Sequence, residues 1–152
     1  QPWLDAGVPA DKIVMGVPFY GRAWGGVDPT DNGLFQSASL VPSGTWDDWS
    51  SGDTGMNDYT QLEEFLSNGQ YTRYWDDECK VPWLYSPTQN GGHFITYEDA
   101  ESIQHKVDYV NANGLGGIMF WAANEAAVSS LNGKTTGENS GTLAAFAAGL
   151  VA

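Results

Sequence analysis

The chain has 152 residues, the size of one domain, and 41% of them are hydrophobic, which is enough for a buried core. No apolar run reaches the roughly 18 residues of a membrane-spanning helix, so we expect no membrane partner. The formal net charge of −13 argues against nucleic acid and anionic membranes, because the acidic residues would repel phosphate groups. Gln1 falls within an expected helix end, and we expect the natural N-terminus to lie upstream.

The composition favours a neutral ligand. Seven Trp and seven Tyr are a large number for this length. Their flat faces stack on the apolar faces of sugar rings, although such residues also fill cores. Cys79 is the single cysteine and excludes an internal disulfide, and with only His93 and His105 it cannot form a zinc site. We therefore expect no metal and no other cofactor.

The first strong element is a nearly continuous apolar run, Ile13–Tyr20, which is typical of a parallel strand buried on both faces. Tyr20, Arg22 and Trp24 crowd at its carboxyl end. Ligands of α/β proteins bind outside the carboxyl ends of strands, so we expect a binding site here. The alternative is an aromatic core contact with a paired arginine.

The middle of the chain predicts an inserted α+β unit. Residues 25–55 are rich in Gly, Ser, Asp and Thr and indicate loops, among which the motif GTWDDW stands out. A helix is predicted over Asp58–Leu66, because its apolar residues lie on one helical face. Alternating residues and turn signals then predict three strands: Tyr71–Trp75, Lys80–Tyr85 and His93–Tyr97.

The last part of the chain returns to an α/β pattern. A helix that opens at Thr96 or Tyr97 has an apolar stripe and ends at Gly114. The apolar strand GLGGIMFW follows and ends at Trp121, and a final helix is predicted over Thr142–Leu150. Two parallel strands with two helices would leave strand edges and sheet faces open, so we expect a piece of a larger α/β protein.

Three motifs, MGVPFYGRAW, YTRYWDDECKVPWLY and GLGGIMFW, resemble in order and spacing the chitinases of glycoside hydrolase family 18. The resemblance implies an α/β fold, a partial (β/α)8 TIM barrel with Ile13–Tyr20 as its seventh strand and Gly117–Trp121 as its eighth. Residues 1–24 and 98–152 would be barrel segments. Residues 25–97 would be the α+β chitinase insertion domain, one wall of the substrate cleft. The implied protein is secreted and hydrolyses chitin, a β-1,4-linked N-acetylglucosamine polymer.

The implied chemistry is substrate-assisted. An acid on the fourth barrel strand protonates the glycosidic oxygen, and the substrate's own N-acetyl carbonyl attacks the anomeric carbon with net retention. The fourth-strand motif DxxDxDxE and the sixth-strand MxYD-type motif do not occur in this sequence. We therefore expect the general acid in an N-terminal barrel portion, on the same or a second chain, and expect this chain alone to be inactive. The acidic run Asp76-Asp77-Glu78 is interpreted as a solvated turn.

The resemblance also implies substrate-binding residues. Trp121 would be the aromatic floor under the sugar at the cleaved bond, where stacking orients the ring. Tyr20 and Arg22 would line the same subsite and hydrogen-bond sugar hydroxyls. Trp24 would either touch the ligand or pack beneath the cleft.

Trp46 and Asp47 resemble an aromatic–acidic pair of the insertion domain that contacts sugars. The family residue is often Glu, and a water could bridge the shorter Asp side chain. After the eighth strand the family commonly has a carboxylate where this chain has Ala122, and Glu125 need not replace it. Two alternatives stay open: a chitinase-like lectin that binds chitin without hydrolysis, and an isolated insertion-domain module that binds sugar weakly.

Overall fold

A computed structural model of the chain describes residues 2–121, which form three α-helices and seven β-strands, with short 3₁₀ segments at Ala10–Lys12 and Thr30–Gly33. The elements are α1 (Pro2–Asp5), β1 (Val14–Pro18), β2 (Tyr20–Trp24), β3 (Met56–Asp58), α2 (Tyr59–Ser67), β4 (Thr72–Asp76), β5 (Val81–Ser86), β6 (His93–Thr96), α3 (Ala100–Ala112) and β7 (Gly117–Trp121). The predicted helix Thr142–Leu150, Ala122 and Glu125 lie outside the described residues.

Strands β1 and β7 form a parallel pair, as predicted, with Pro18 opposite Trp121. Helix α3 covers one side of this pair, where Val17, Phe19 and Val107 belong to one buried cluster. The other side is open in the described residues, and Met119 and Trp121 on it are 50% and 65% exposed. The pair and its helix therefore form one βαβ unit. The face of the pair under α3 is buried, and the opposite face is exposed in the described residues.

The first strand ends earlier than predicted, because the chain changes sheets at Phe19. The N–H of Phe19 donates to the carbonyl of Trp121 at 2.7 Å, and its carbonyl accepts from Tyr59 N–H at 3.0 Å. The next residues, Tyr20–Trp24, form a separate strand, β2, rather than the end of β1. The apolar run crosses this corner without a break, which is why periodicity alone did not locate it.

The insertion is a five-stranded antiparallel sheet of order β3-β2-β6-β5-β4. Three of these strands were predicted, whereas β2 and β3 were not. Strand β3 has only three residues. The sequence pattern predicts Tyr20, Arg22 and Trp24 as a cluster at the end of the barrel strand, whereas they belong to a strand of their own, β2. Since β2 pairs with β3 and β6 and not with β1, we propose Phe19 as the first boundary of the insertion in place of Trp24.

The two faces of this sheet have different roles. On one face α2 packs its Leu62 against Leu84 and Ile95, and all three are fully buried. Gly21 of β2 lies under this helix, and a Cβ there would sit 2.8 Å from Ile95 Cγ2 and 3.0 Å from Leu62 Cδ1. Glycine is therefore required between Tyr20 and Arg22, and their side chains point to the face opposite α2, which Val27 and Leu34 cover in part.

Helix α3 begins at Ala100, later than the predicted start at Thr96 or Tyr97. Asp99 is its N-cap and forms a capping box with Ser102, whose N–H donates to Asp99 Oδ1 at 3.0 Å. Arg73 of β4 also pairs with Asp99 at 2.8 Å and with Glu101 at 2.7 Å. These contacts tie the helix start to the inserted sheet, so strand β6 extends to Thr96 before the helix can form.

The acidic run Asp76-Asp77-Glu78 lies in the turn between β4 and β5, where Asp76 Oδ1 accepts from the backbone N–H groups of Glu78 and Cys79. Cys79 is exposed and unpaired. Within residues 2–121 no group of three metal-ligating side chains occurs, and no helix is long and apolar enough to cross a membrane.

His93 is a buried titratable residue on β6, 2% exposed. Its Nδ1 lies within hydrogen-bond distance of Tyr71 Oη, at 2.6 Å, and of the Asn90 amide nitrogen, at 3.2 Å, and a neutral ring whose Nδ1 accepts can form both contacts. Burial lowers the pKa of His93 to about 4. The unfolded chain therefore binds one more proton than the folded chain between pH 6.5 and 4, and the folded state loses stability as the pH falls through this range.

We expect the free energy of unfolding to drop by up to about 3 kcal/mol between pH 7 and pH 4 because of His93. The measurement is denaturant unfolding of the wild type and of His93→Gln at both pH values. The variant should lose much of this drop, although it is less stable at pH 7 since the Tyr71 contact is weakened. Identical pH dependence in the two proteins would show that His93 is not the responsible group.

Candidate functional site

Tyr20, Arg22 and Trp24 share the face of the inserted sheet opposite α2, because they alternate along β2 with buried Gly21 and Ala23. The Arg22 guanidinium lies 5.8 Å from the centre of the Tyr20 ring. Arg22 forms no salt bridge with any residue in the range 2–121. Its N–H donors are therefore available to a neutral ligand that offers hydroxyl or carbonyl oxygens.

A cleft of about 230 Å³ lies beside Tyr20 and Arg22. Thr96, which pairs with Arg22 across β2 and β6, contributes a hydroxyl to its wall. Glu98 adds a carboxylate, which accepts from Lys106 Nζ at 2.8 Å and 2.7 Å. Sequence reasoning missed Thr96 and Glu98, since only the strand register places them beside β2. The complete lining is Pro18, Tyr20, Arg22, Val81, Pro82, Thr96, Tyr97 and Glu98.

Trp46 is held at the edge of this face by a buried carboxylate that the sequence did not reveal. Its indole Nε1–H donates to Asp58 Oδ1 at 2.6 Å, and Asp58 is the direct cross-strand partner of Tyr20. Burial raises the pKa of Asp58, and the hydrogen bond from Trp46 partly opposes this effect. Asp58 thus connects Trp46 to Tyr20 of β2.

Asp47 has a different environment from its neighbour. Its Oδ1 accepts from the backbone N–H and the hydroxyl of Thr54 at 2.8 Å and 2.6 Å, and its Oδ2 accepts from Gly44 N–H at 2.6 Å. These hydrogen bonds lower the pKa of Asp47, with the Thr54 hydroxyl as the largest cause. The carboxylate closes the loop that carries Trp46, and a contact between Asp47 and sugar stays a prediction.

Trp121 is the last residue of β7. It lies beside Phe19, where the chain leaves β1 and enters the inserted sheet. Its backbone carbonyl binds Phe19 N–H, and the next residue, Tyr20, begins β2. Trp121 is 65% exposed and lies on the side of the parallel pair that α3 does not cover. Trp121 and Tyr20 therefore share the carboxyl end of the parallel strands, whereas Trp24 is at the far end of β2, its ring 6.2 Å from Phe94.

The hydrogen bond between Trp46 and Asp58 should contribute to the free energy of unfolding. We expect Asp58→Ala to lower the free energy of unfolding by about 1–3 kcal/mol, because it leaves a partly buried indole N–H unpaired. Trp46→Phe removes the same hydrogen bond and leaves Asp58 buried without it. The double variant should cost less than the sum of the two single changes, which denaturant unfolding of all four proteins measures as a coupling energy. Additive effects would show that the two side chains are energetically independent.

The chain matches known proteins over most of its length. The sequence profile of glycosyl hydrolases family 18 matches residues 1–126. Chitinase A1 of Niallia circulans is 46% identical over 123 residues, which are 80% of this chain and 16% of the relative. Chitinase B of Serratia marcescens is 45% identical over 133 residues, which cover 80% of this chain and 26% of the relative.

Solved structures agree with the sequence relatives. A chitinase from Bacillus thuringiensis superimposes with a TM-score of 0.71 at 44% identity, over 78% of this chain and 20% of that protein. The expected fold class, part of a TIM barrel with an α+β insertion, is confirmed by these neighbours and by the parallel pair and the antiparallel sheet. This chain spans about a quarter or less of each of these relatives, and it belongs to the glycosyl hydrolases of family 18.

Proposed function

We propose that the complete protein hydrolyses chitin and that this chain supplies the sugar-binding wall of its active site. The observation that carries the proposal is the placement of Trp121, Tyr20 and Arg22 at one end of the parallel pair, with the Arg22 guanidinium unpaired within the described residues. Relatives that cover this region are named chitinases. The acidic chain suits a neutral polymer, and we also propose that the protein is secreted.

The proposed mechanism is substrate-assisted and retaining. Trp121 stacks under the sugar at the cleaved bond and holds it while the N-acetyl carbonyl turns toward the anomeric carbon. The Tyr20 hydroxyl and the Arg22 guanidinium bind sugar oxygens and fix the ring's position, which accounts for a large share of the rate in reactions of this kind. Glu98 is paired with Lys106, so it does not serve as the acid. We assign proton donation to a barrel strand outside this sequence, since DxxDxDxE does not occur in it.

The second candidate is a chitin-binding lectin. The 152 residues are compatible with it, because none of them decides between an enzyme and a lectin. In this case the wall formed by Tyr20, Arg22 and Trp121 would bind chitin oligomers, and no bond would be cleaved.

One experiment on the complete protein separates the two candidates. Turnover of a chromogenic chitobioside is measured beside calorimetric binding of chitin oligomers. Hydrolysis with binding supports the enzyme, whereas binding without hydrolysis supports the lectin. If the protein neither binds nor cleaves the oligomers, both candidates are wrong.

A further inference from the structure

Four aromatic rings form a row across the face of the inserted sheet opposite α2. Trp24 of β2 lies 6.2 Å from Phe94 of β6, Phe94 lies 6.4 Å from Trp83 of β5, and Trp83 stacks at 5.4 Å on Tyr74 of β4. The middle of the row is capped by the segment after β2, since Trp83 Nε1–H donates to the Asn32 carbonyl at 3.1 Å. The Trp24 end remains accessible, with 38% of this residue exposed.

The capping segment carries a second exposed aromatic ring to this accessible end. Gly33, at φ +81°, lets the segment approach closely, because a Cβ there would lie 2.7 Å from the Tyr85 ring and 3.0 Å from the Phe94 ring. Phe35 follows with φ +60° and is 92% exposed. A bulky residue in the left-handed region costs about 1 kcal/mol or more, and Phe35 gains almost no burial in return. Phe35 is therefore an exposed aromatic ring beside Trp24.

Trp24, Phe94 and Phe35 line a groove of about 380 Å³, which is within the range of small-molecule sites. Two polar side chains, Gln36 and Thr96, also line the groove. Gln36 Nε2 donates to the Leu34 carbonyl at 3.1 Å, which fixes the amide and leaves its oxygen as an acceptor. Aromatic faces with fixed polar groups at their edge are the elements that bind a pyranose ring.

Thr96 lines both this groove and the cleft beside Tyr20 and Arg22. The two therefore adjoin on one face of the sheet, along the line of Tyr20, Arg22 and Trp24. A polymer bound in the cleft would pass from Arg22 onto Trp24 without leaving this face. Such continuity favours the next unit of the same sugar chain over an unrelated ligand.

We propose that the groove between Trp24, Phe35 and Phe94 is an additional subsite, which binds an N-acetylglucosamine unit of a chitin chain whose other units occupy the Tyr20–Arg22 cleft. The inference rests on the proposed function. Phe35 and Trp24 stack on the sugar ring, and Gln36 and Thr96 bind its polar groups. The subsite is used only by oligomers long enough to reach it.

The test is Phe35→Ala in the complete protein. We expect kcat/KM for the N-acetylglucosamine hexamer to fall about tenfold, because a stacking face is lost, while kcat/KM for a chromogenic chitobioside changes less than about twofold. The separate variant Phe35→Trp should keep kcat/KM for the hexamer near the wild-type value, since it retains an aromatic face for stacking. The matched control is Trp49→Ala, which removes a 98% exposed ring that does not line the groove. Both residues are exposed, so neither substitution should unfold the protein, and a melting curve checks this.

The outcomes separate this subsite from the proposed function. Equal hexamer values for the wild type and Phe35→Ala, or equal losses on both substrates, would overturn the subsite while hydrolysis itself stands. If the wild type cleaves neither substrate, the hydrolase proposal fails, and the affinity of the hexamer relative to the dimer, measured by calorimetry, then decides on the subsite. A tenfold loss of hexamer affinity in Phe35→Ala would support it there, and no loss would overturn it.

Discussion

Trp121→Ala in the complete protein should lower kcat/KM for a chromogenic chitobioside by about 10- to 100-fold, which corresponds to about 1–3 kcal/mol of transition-state stabilisation. The reason is geometric, since Trp121 lies at the carboxyl end of β7 on the side that α3 leaves open, beside the entry to β2. Without the indole the sugar is held less firmly for attack by its own acetamido group. The free energy of unfolding should change less, because 65% of the residue is exposed.

The matched control for this change is Trp49→Ala, which removes a 98% exposed indole from a loop outside the cleft. It should leave kcat/KM within about twofold of the wild type, as expected for an exposed surface change. Unchanged hydrolysis in Trp121→Ala would show that this residue is not the floor of the site. A loss of activity that accompanies a collapse in melting temperature would instead assign it a role in folding.

Leu62→Ala should lower the free energy of unfolding by about 2–5 kcal/mol, the usual cost of truncating a buried leucine. Leu62 is 0% exposed and is the side chain by which α2 packs against Leu84, Ile95 and the backbone at Gly21. Because β2 would lose its support on this face, Tyr20 and Arg22 on the opposite face should also be less well positioned. Denaturant unfolding measures the first effect, and KM for chitin oligomers measures the second.

Glu64→Ala on the exposed side of the same helix is the control for Leu62→Ala. We expect it to change the free energy of unfolding by less than about 0.5 kcal/mol. If the two variants were equally stable, the packing of α2 would not be what supports β2.

Much of the fold could be predicted because hydrophobic patterning is a local signal. The parallel strands, the helix before β7 and three strands of the insertion follow from the apolar runs and turn residues. The corner at Phe19 could not be found in this way, since the apolar run continues across it and the chain changes sheets without a polar break. The start of α3 was placed too early because the capping role of Asp99 depends on its contacts with Ser102 and Arg73.

The site was predictable in part for the same reason. Tyr20 and Arg22 come just after β1 in the sequence and Trp121 ends β7, so motifs at the ends of apolar runs mark them. Asp58, Thr96 and Glu98 reach the site only through strand register and tertiary hydrogen bonds, which no local pattern encodes. Phe35 was missed because it lies in a segment whose composition indicates only a loop, and its left-handed backbone conformation is visible only in the structure.

The most direct measurement of the central claim is a crystal structure of the complete protein with a bound chitin oligomer. We expect one sugar ring to be stacked on Trp121, with hydrogen bonds from Tyr20 and Arg22 to its oxygens, and the sugar chain to continue along the face that carries Trp24. An oligomer bound elsewhere on the protein, with the Trp121 and Arg22 side chains free, would contradict it.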